Sequence, residues 1–149
     1  MFMRALLAFL LLPGLVAFVL PVAWLRHTLH LRLLHPSGLL PLLLGVAGLL
    51  WSVRDFYVFG KGTLAPWSPP QRLLQIGLYR HSRNPMYTAV VLILLGWAGA
   101  FASRDLLVCT LGAMIGFHLR VVLSEEPHLA RTHGSAWAQY ASRVPRWFW

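Results

Sequence analysis

Charged residues are scarce in this 149-residue chain, at 11% of the sequence, against roughly 25% in a typical globular protein. Hydrophobic residues make up 58%, and a domain of this size exposes too much surface for so few charges to cover in water. Acids are scarcer still, with four Asp and Glu against thirteen Lys and Arg. These deficits exclude a soluble monomer, a disordered tail and a collagen-like fibre. They favour an integral membrane protein in contact with the lipid bilayer.

Cysteine is nearly absent, and common catalytic motifs are missing. The single cysteine, Cys109, lies inside an apolar run and permits no internal disulfide or paired-cysteine metal site. The chain has no HExxH motif, phosphate-binding loop or GxSxG elbow. His27 and His30 have no acid or cysteine nearby, so we expect no metal site. The basic residues that give the net charge of +9 lie between apolar runs. This placement favours a role in membrane topology and in binding anionic headgroups over a role in binding nucleic acid.

Four apolar stretches predict an all-α, polytopic membrane protein with about four transmembrane helices in one domain, residues 1–149. The predicted spans are residues 5–25, 39–59, 86–103 and 106–123, close to the roughly 20 residues that cross the hydrocarbon core. A signal peptide is the alternative for the first span, but its apolar part is long for one and no small-residue cleavage site follows. Only Arg104 and Asp105 separate the last two spans, which predicts a tight hairpin. Small residues are expected to let its backbones approach closely: Gly96, Gly99 and Ala100 facing Gly112 and Gly116.

The basic residues predict the orientation of the spans. Ten of the thirteen Lys and Arg fall on the side shared by the N-terminus, the loop of residues 60–85 and the C-terminal tail. By the positive-inside rule, both termini and these polar segments are expected to be cytoplasmic, in the cell inner membrane. The tail carries Leu129, Trp137, Tyr140 and Val144 at spacings typical of an amphipathic helix. A pocket between this loop and tail is the expected site.

Two adjacent acids, Glu125 and Glu126, lie where the fourth predicted span leaves the bilayer. Carboxylates at this boundary are costly unless cations or hydrogen-bond donors meet them. The alternative is a solvated turn in which Ser124 caps the next helix and Pro127 lies in its first turn. The basic residues expected as partners of the acids are Arg80, Arg83, Arg120 and Arg143.

A second cluster of polar residues lies just before the third predicted span. Asn84 and Pro85 suit the N-cap and first position of a helix. That role leaves unexplained the polar and aromatic residues just before them, which are Tyr79, Arg80, His81 and Arg83. Free N–H groups at a helix N-terminus, next to arginines, favour binding of a carboxylate or phosphate.

These residues carry a family resemblance. The run Gly77–Tyr87, GLYRHSRNPMY, resembles the G-x-Y-x-x-x-R-[HN]-P-x-Y signature of the isoprenylcysteine carboxyl methyltransferase family, whose wider group includes the phospholipid N-methyltransferases. The segment Glu125–Pro145 is similar to the family pattern E-E-x-x-L…G-x-x-[YW]-x-x-Y-x-x-x-V-P, and Gly60-Lys61-Gly62 to the GxG of the phospholipid branch. The resemblance covers about residues 60–147. Asn84 stands where the carboxyl methyltransferases usually have His, and Arg120 lies one residue further from Glu125 than in their eukaryotic members.

The resemblance implies an integral membrane methyltransferase that uses S-adenosyl-L-methionine and acts on a hydrophobic or lipid-like small molecule. It implies that the cytoplasmic loop and the C-terminal amphipathic helix form the cofactor site. The residues that it assigns to the cofactor are Gln71, Leu74, Tyr79, His81, Asn84, Pro85, Met86, Tyr87 and Glu125. Those that it assigns to catalysis are Arg83, Arg120 and Glu126. Methyl transfer from a sulfonium needs close positioning and exclusion of water, which agrees with the missing metal and nucleophile motifs.

Two other functions stay open on the sequence alone. One is an NADPH-dependent membrane reductase of related architecture, against which the small size of the chain argues. The other is a non-catalytic membrane module in which the two motifs shape an interfacial turn. Within the methyltransferase interpretation, the residues fit O-, S- and N-methylation equally and indicate no oligomeric state.

Overall fold

The computed structural model describes residues 10–27, 35–60 and 73–148, and the regular structure in these ranges is all helical, as expected. Helix α1 begins as a π-helix at Leu10–Val19 and continues as an α-helix at Leu20–His27. The following helices are α2 at Leu39–Gly60, α3 at Pro85–Ala100, α4 at Arg104–Arg120 and α5 at Glu126–Arg143. Short 3₁₀ turns at Pro36–Gly38 and Gly77–Arg80 precede α2 and α3.

Within the described ranges, two helical segments are long and apolar enough to cross a membrane. They are Pro36–Phe56 and the stretch Arg104–Arg143, which contains α4, α5 and a kink at Gly134. The apolar segments Gly14–His27 and Pro85–Ala100 are shorter, and the latter, with 16 residues, is about 24 Å long at the rise of an α-helix. Residues 5–9 of the first predicted span lie outside the described residues. These lengths support a membrane protein, and the count of four spans stays a prediction.

Helix α3 is the centre of the fold and contacts α1, α2 and α4. It is apolar around its whole circumference, a pattern typical of a helix enclosed by others. The main core cluster joins it to α1 and α2 and contains Ala17, Leu49, Ala89, Val90, Ile93 and Leu94. Trp97 adds a polar tie, because its indole N–H donates to the carbonyl oxygen of Ala17 at 3.0 Å.

The closest backbone approach of α3 is to α2. A Cβ atom placed on Gly96 would lie 2.5 Å from the Cβ of Leu42 and 2.6 Å from its backbone nitrogen. No side chain fits in that gap, so glycine is required where the two helices cross. The small residues of α3 therefore serve its packing on α2.

Helix α4 turns its glycines away from α3, so the expectation that they face Gly96 and Gly99 is wrong. A Cβ on Gly112 or Gly116 would meet no atom within 4 Å. The buried positions of α4 include Leu106 and Thr110. Two residues beyond Thr110 the helix has rotated by about 200°, so Gly112 lies on the exposed face.

The hairpin turn between α3 and α4 comes earlier than the sequence predicts. It occupies residues 101–103, where Ala102 has a φ of 48°. The Ser103 hydroxyl accepts a hydrogen bond from the backbone N–H of Leu106 at 3.3 Å and caps α4. Arg104 and Asp105 thus belong to the first helical turn, where the acid interacts favourably with the helix dipole.

No turn separates α4 from α5, so the alternative of a solvated turn capped by Ser124 is not found. Residues Val121–Glu125 form a π-helical turn, and the backbone N–H of Glu126 donates to the carbonyl oxygen of Val121. Because backbone hydrogen bonds of helical type continue through this segment, its N–H groups are paired and need no side-chain cap. The break in the tail comes later, at Gly134, with φ 50° and ψ −121°.

Candidate functional site

Glu126 is the centre of a closed ion-pair cluster. Its Oε1 accepts from Arg83 Nη1 at 2.9 Å, and Arg146 binds both of its oxygens, Nε to Oε1 at 2.9 Å and Nη2 to Oε2 at 2.7 Å. The side chains of Arg83 and Glu126 are only 13% and 15% exposed. Such charge-assisted, bidentate contacts are among the strongest in proteins. The cluster uses both carboxylate oxygens of Glu126.

Glu125 is held by one oxygen only. Its Oε1 accepts from the Tyr87 hydroxyl at 2.5 Å and from Arg120 Nε at 2.7 Å. In the part of the chain that the structure describes, no hydrogen bond reaches Oε2. The Tyr87 ring stacks on Phe117 with ring centroids 4.6 Å apart. Glu125 therefore combines a fixed position with a free acceptor, beside an aromatic wall.

The π-helical turn explains why Arg120 reaches Glu125. Residues that are five apart share a face in a π-helix, whereas residues four apart do so in an α-helix. Arg120 and Glu125 are five apart and joined at 2.7 Å. The π-helical turn thus accommodates the five-residue spacing between Arg120 and Glu125.

The C-terminal segment after α5 holds the loop that leads into α3. The carbonyl oxygen of Arg146 accepts from the Ser82 hydroxyl and from Asn84 Nδ2, each at 3.1 Å. The backbone N–H of Arg83 donates to the carbonyl oxygen of Pro145 at 2.9 Å. Asn84 takes the N-cap position as expected, but its side chain makes no capping bond, because it binds Arg146 instead. The first N–H groups of α3 thus have no side-chain cap.

The face of α5 that follows its break at Gly134 packs as the amphipathic pattern predicts. Trp137, Tyr140 and Val144 are buried together, with Leu73 and Leu129 against them. The Trp137 ring also lies under the Arg83 guanidinium, 5.5 Å from Cζ to centroid. The Glu126 cluster therefore packs, through Arg83, against an apolar layer that contains Trp137.

Tyr79 and Tyr140 link the 3₁₀ turn to the tail. The Tyr140 hydroxyl donates to the carbonyl oxygen of Tyr79 at 2.7 Å. Burial raises the pKa of the Tyr79 phenol above its ordinary value, and Tyr140, Asp55 and Glu125 raise it further. Tyr79 therefore stays neutral at physiological pH. The hydrogen bonds to Glu126 raise the pKa of Arg146, so the Arg146 guanidinium stays protonated.

The other predicted site residues lie around this arrangement. Leu74 and Pro85 are buried, Met86 is half-buried against the core, and His81 is exposed. Gln71 lies outside the described residues, as do Lys61 and Gly62 of the GxG element. The structure thus brings together Arg83, Asn84, Tyr87, Arg120, Glu125 and Glu126.

The prediction that basic residues pair with the two acids is confirmed for Arg83 and Arg120. It is wrong for Arg80 and Arg143. No ion pair involves either of the latter two among the described residues. Sequence reasoning missed Arg146, which binds Glu126 with two nitrogens. Its signal was the Val-Pro-Arg-Trp ending of the tail pattern, since Pro145 stops the helix and turns the chain back.

Comparison with known proteins decides the family. A family model described as phospholipid methyltransferase matches residues 34–136, more than half of the chain. The chain belongs to the phospholipid methyltransferase family. No curated protein and no solved structure matches it. The expected membership is confirmed, and it makes the chain a member of a methyltransferase family associated with membranes.

In this member of the phospholipid methyltransferase family, the matched region contains Glu125, Glu126 and the loop before α3. Tyr140 and Arg146 lie beyond residue 136, where the match ends. Both side chains nevertheless bind groups inside the matched region, namely the Tyr79 carbonyl oxygen and Glu126. The tail is thus an integral part of this site.

Replacement of Tyr140 by phenylalanine tests the tie between the tail and the 3₁₀ turn. The change removes one hydroxyl and leaves a buried carbonyl oxygen unpaired, which costs about 1–2 kcal/mol. We expect a lower midpoint of thermal unfolding for Tyr140→Phe, measured by tryptophan fluorescence in detergent. Ser142→Ala is the control, because Ser142 is exposed and its hydroxyl binds only the nearby Gln139 carbonyl oxygen. Equal midpoints for the two variants would refute the structural role of this bond.

Proposed function

We propose that this protein is an S-adenosyl-L-methionine-dependent membrane methyltransferase that acts on a hydrophobic or lipid-like acceptor. The observation that carries the proposal is the hydrogen bonding of Glu125. Its Oε1 accepts from Tyr87 and Arg120, while no donor from the described residues reaches Oε2. The proposed catalytic domain is the whole chain, with the site on the cytoplasmic side of the inner membrane.

The residues present fit both charged ends of such a cofactor. Its ammonium and sulfonium are cations, which suit the Glu125 carboxylate and the aromatic faces of Tyr87 and Phe117. Its carboxylate suits the uncapped N-terminus of α3, where the helix dipole and free N–H groups favour an anion. When bound, the cofactor supplies a methyl group on sulfur, ready for in-line transfer.

The protein groups then position the reactants and exclude water. The Glu126 cluster fixes the loop before α3, and the tail residues Trp137 and Tyr140 close its base. Arg120 is half exposed and is proposed to face the acceptor, beside the lipid-facing surface of α4. Alignment of this kind supplies much of the rate enhancement in a displacement that needs no covalent intermediate.

Binding and transfer are measured separately on the protein in detergent. We expect calorimetry to show binding of S-adenosylmethionine and S-adenosylhomocysteine with dissociation constants in the micromolar range. We expect it to show no binding of NADPH. A radiolabelled methyl-transfer assay against extracted membrane lipids, and against small hydrophobic thiols and carboxylates, then identifies the acceptor class. NADPH binding without binding of either sulfur compound would favour the reductase. Folded protein that binds none of the three would favour the non-catalytic module.

A further inference from the structure

A polar cavity lies outside the Glu125–Glu126 site. It has a volume of about 330 Å³ and lies between the segment around the 3₁₀ turn and the end of α5. Four side chains in its wall carry N–H donors, and the remaining lining is apolar or aromatic. The residues are Gln75, Arg80, Gln139 and Arg143, with Ala136, Tyr140 and Val144.

The charge of this cavity is uncompensated. The described structure gives Arg83, Arg120 and Arg146 acidic partners, but it gives none to Arg80 or Arg143. Arg80 and Arg143 are exposed, so solvent screens their charges, but both line the same cavity. No acid is among the described residues that line the cavity. Two cationic side chains and no described acid thus line one cavity, an arrangement that suits a negatively charged ligand.

The donor set indicates the chemistry of that anion. Arginine guanidinium groups present several N–H donors in a planar fork that matches phosphate oxygens, and the two glutamine amides add further N–H donors. Basic pockets of this kind, next to membrane-spanning helices, bind the headgroups of anionic lipids. Tyr140, Ala136 and Val144 provide the apolar surface that a glycerol backbone would contact.

We propose that the cavity between Arg80 and Arg143 binds a phosphate group, at a site separate from the one proposed for methyl transfer. A phospholipid headgroup and free phosphate share this chemistry. The site does not depend on the proposed methyltransferase activity, since neither arginine contacts Glu125 or Glu126 in the described structure.

Calorimetric titration in an uncharged maltoside detergent tests this site. Short-chain phosphatidylglycerol is one probe and inorganic phosphate, at matched ionic strength, is the other. The double variant Arg80→Gln/Arg143→Gln is compared with Arg104→Gln/Arg131→Gln, which removes the same charge from exposed positions outside the cavity. We expect the first variant to bind phosphatidylglycerol at least tenfold more weakly than the wild type, and the second to stay within twofold.

The two probes distinguish the source of the phosphate. Binding of the lipid alone, lost in the cavity variant, assigns the site to a headgroup. Binding of inorganic phosphate with the same dependence on Arg80 and Arg143 assigns it to a soluble phosphate. Equal losses in both double variants, or no binding of either probe by monodisperse wild-type protein, would overturn the proposal. An unfolding midpoint within about 2 °C of the wild type, measured by tryptophan fluorescence in detergent, shows that the cavity variant is folded.

Discussion

Glu125→Gln is expected to weaken binding of S-adenosylmethionine and to slow methyl transfer by on the order of 10- to 100-fold. The variant keeps the size of the side chain and leaves an oxygen for the Tyr87 hydroxyl, which lies 2.5 Å from Glu125 Oε1. It removes the negative charge opposite a cationic ligand and leaves Arg120 without its partner. A hydrogen bond to a charged group contributes about 1.5–3 kcal/mol, which corresponds to this range in affinity.

The measurement is calorimetry with S-adenosylmethionine, together with the initial rate of radiolabelled methyl transfer. Asp105→Asn is the matched control, because it removes the same charge from an exposed position in the first turn of α4. We expect the control to bind as the wild type does. If Glu125→Gln binds with unchanged affinity, the free oxygen of Glu125 is not part of a ligand site and the proposed function loses its main support.

The sequence predicts the convergence of the two motifs, because family patterns fix which residue types must meet. The loop before α3 and the two acids after α4 lie about 40 residues apart, yet Tyr87 binds Glu125 and Arg83 binds Glu126. Residue types alone also predict the start of α3, since proline fits the first helical position and Asn84 the position before it. Such local rules depend on only a few neighbouring residues.

The pairing of individual charges could not be predicted in the same way. Six arginines lie in or next to the two sequence patterns, and the choice among them depends on backbone geometry. The π-helical turn brings Arg120 to Glu125, and the reversal at Pro145 brings Arg146 to Glu126. A one-residue change in helical phase rotates a side chain by about 100°. The same sensitivity explains why Gly112 and Gly116 face away from α3 although their spacing suits a packed pair.

Glu126→Gln is expected to cause the largest loss of stability among single changes at this site. The change leaves Arg83, whose side chain is 13% exposed, and Arg146 without a counter-charge. Removal of one partner of a buried pair costs about 3–5 kcal/mol. Because the Arg146 side chain is 33% exposed and solvent screens it, we expect roughly 2–4 kcal/mol here. For a chain of this length, that lowers the unfolding midpoint by about 5–15 °C.

Thermal unfolding in detergent, followed by tryptophan fluorescence, measures this loss, with Asp105→Asn again as the control. A double-mutant cycle with Arg83→Gln separates lost attraction from an uncompensated charge. Once Glu126 is neutral, removal of the Arg83 charge should cost little or even restore stability, because that charge then has no partner. Strictly additive losses in the cycle would show that Arg83 and Glu126 act independently. The loop before α3 would then be held by its other contacts, among them the backbone of Pro145 and Arg146 and the Tyr140 hydroxyl.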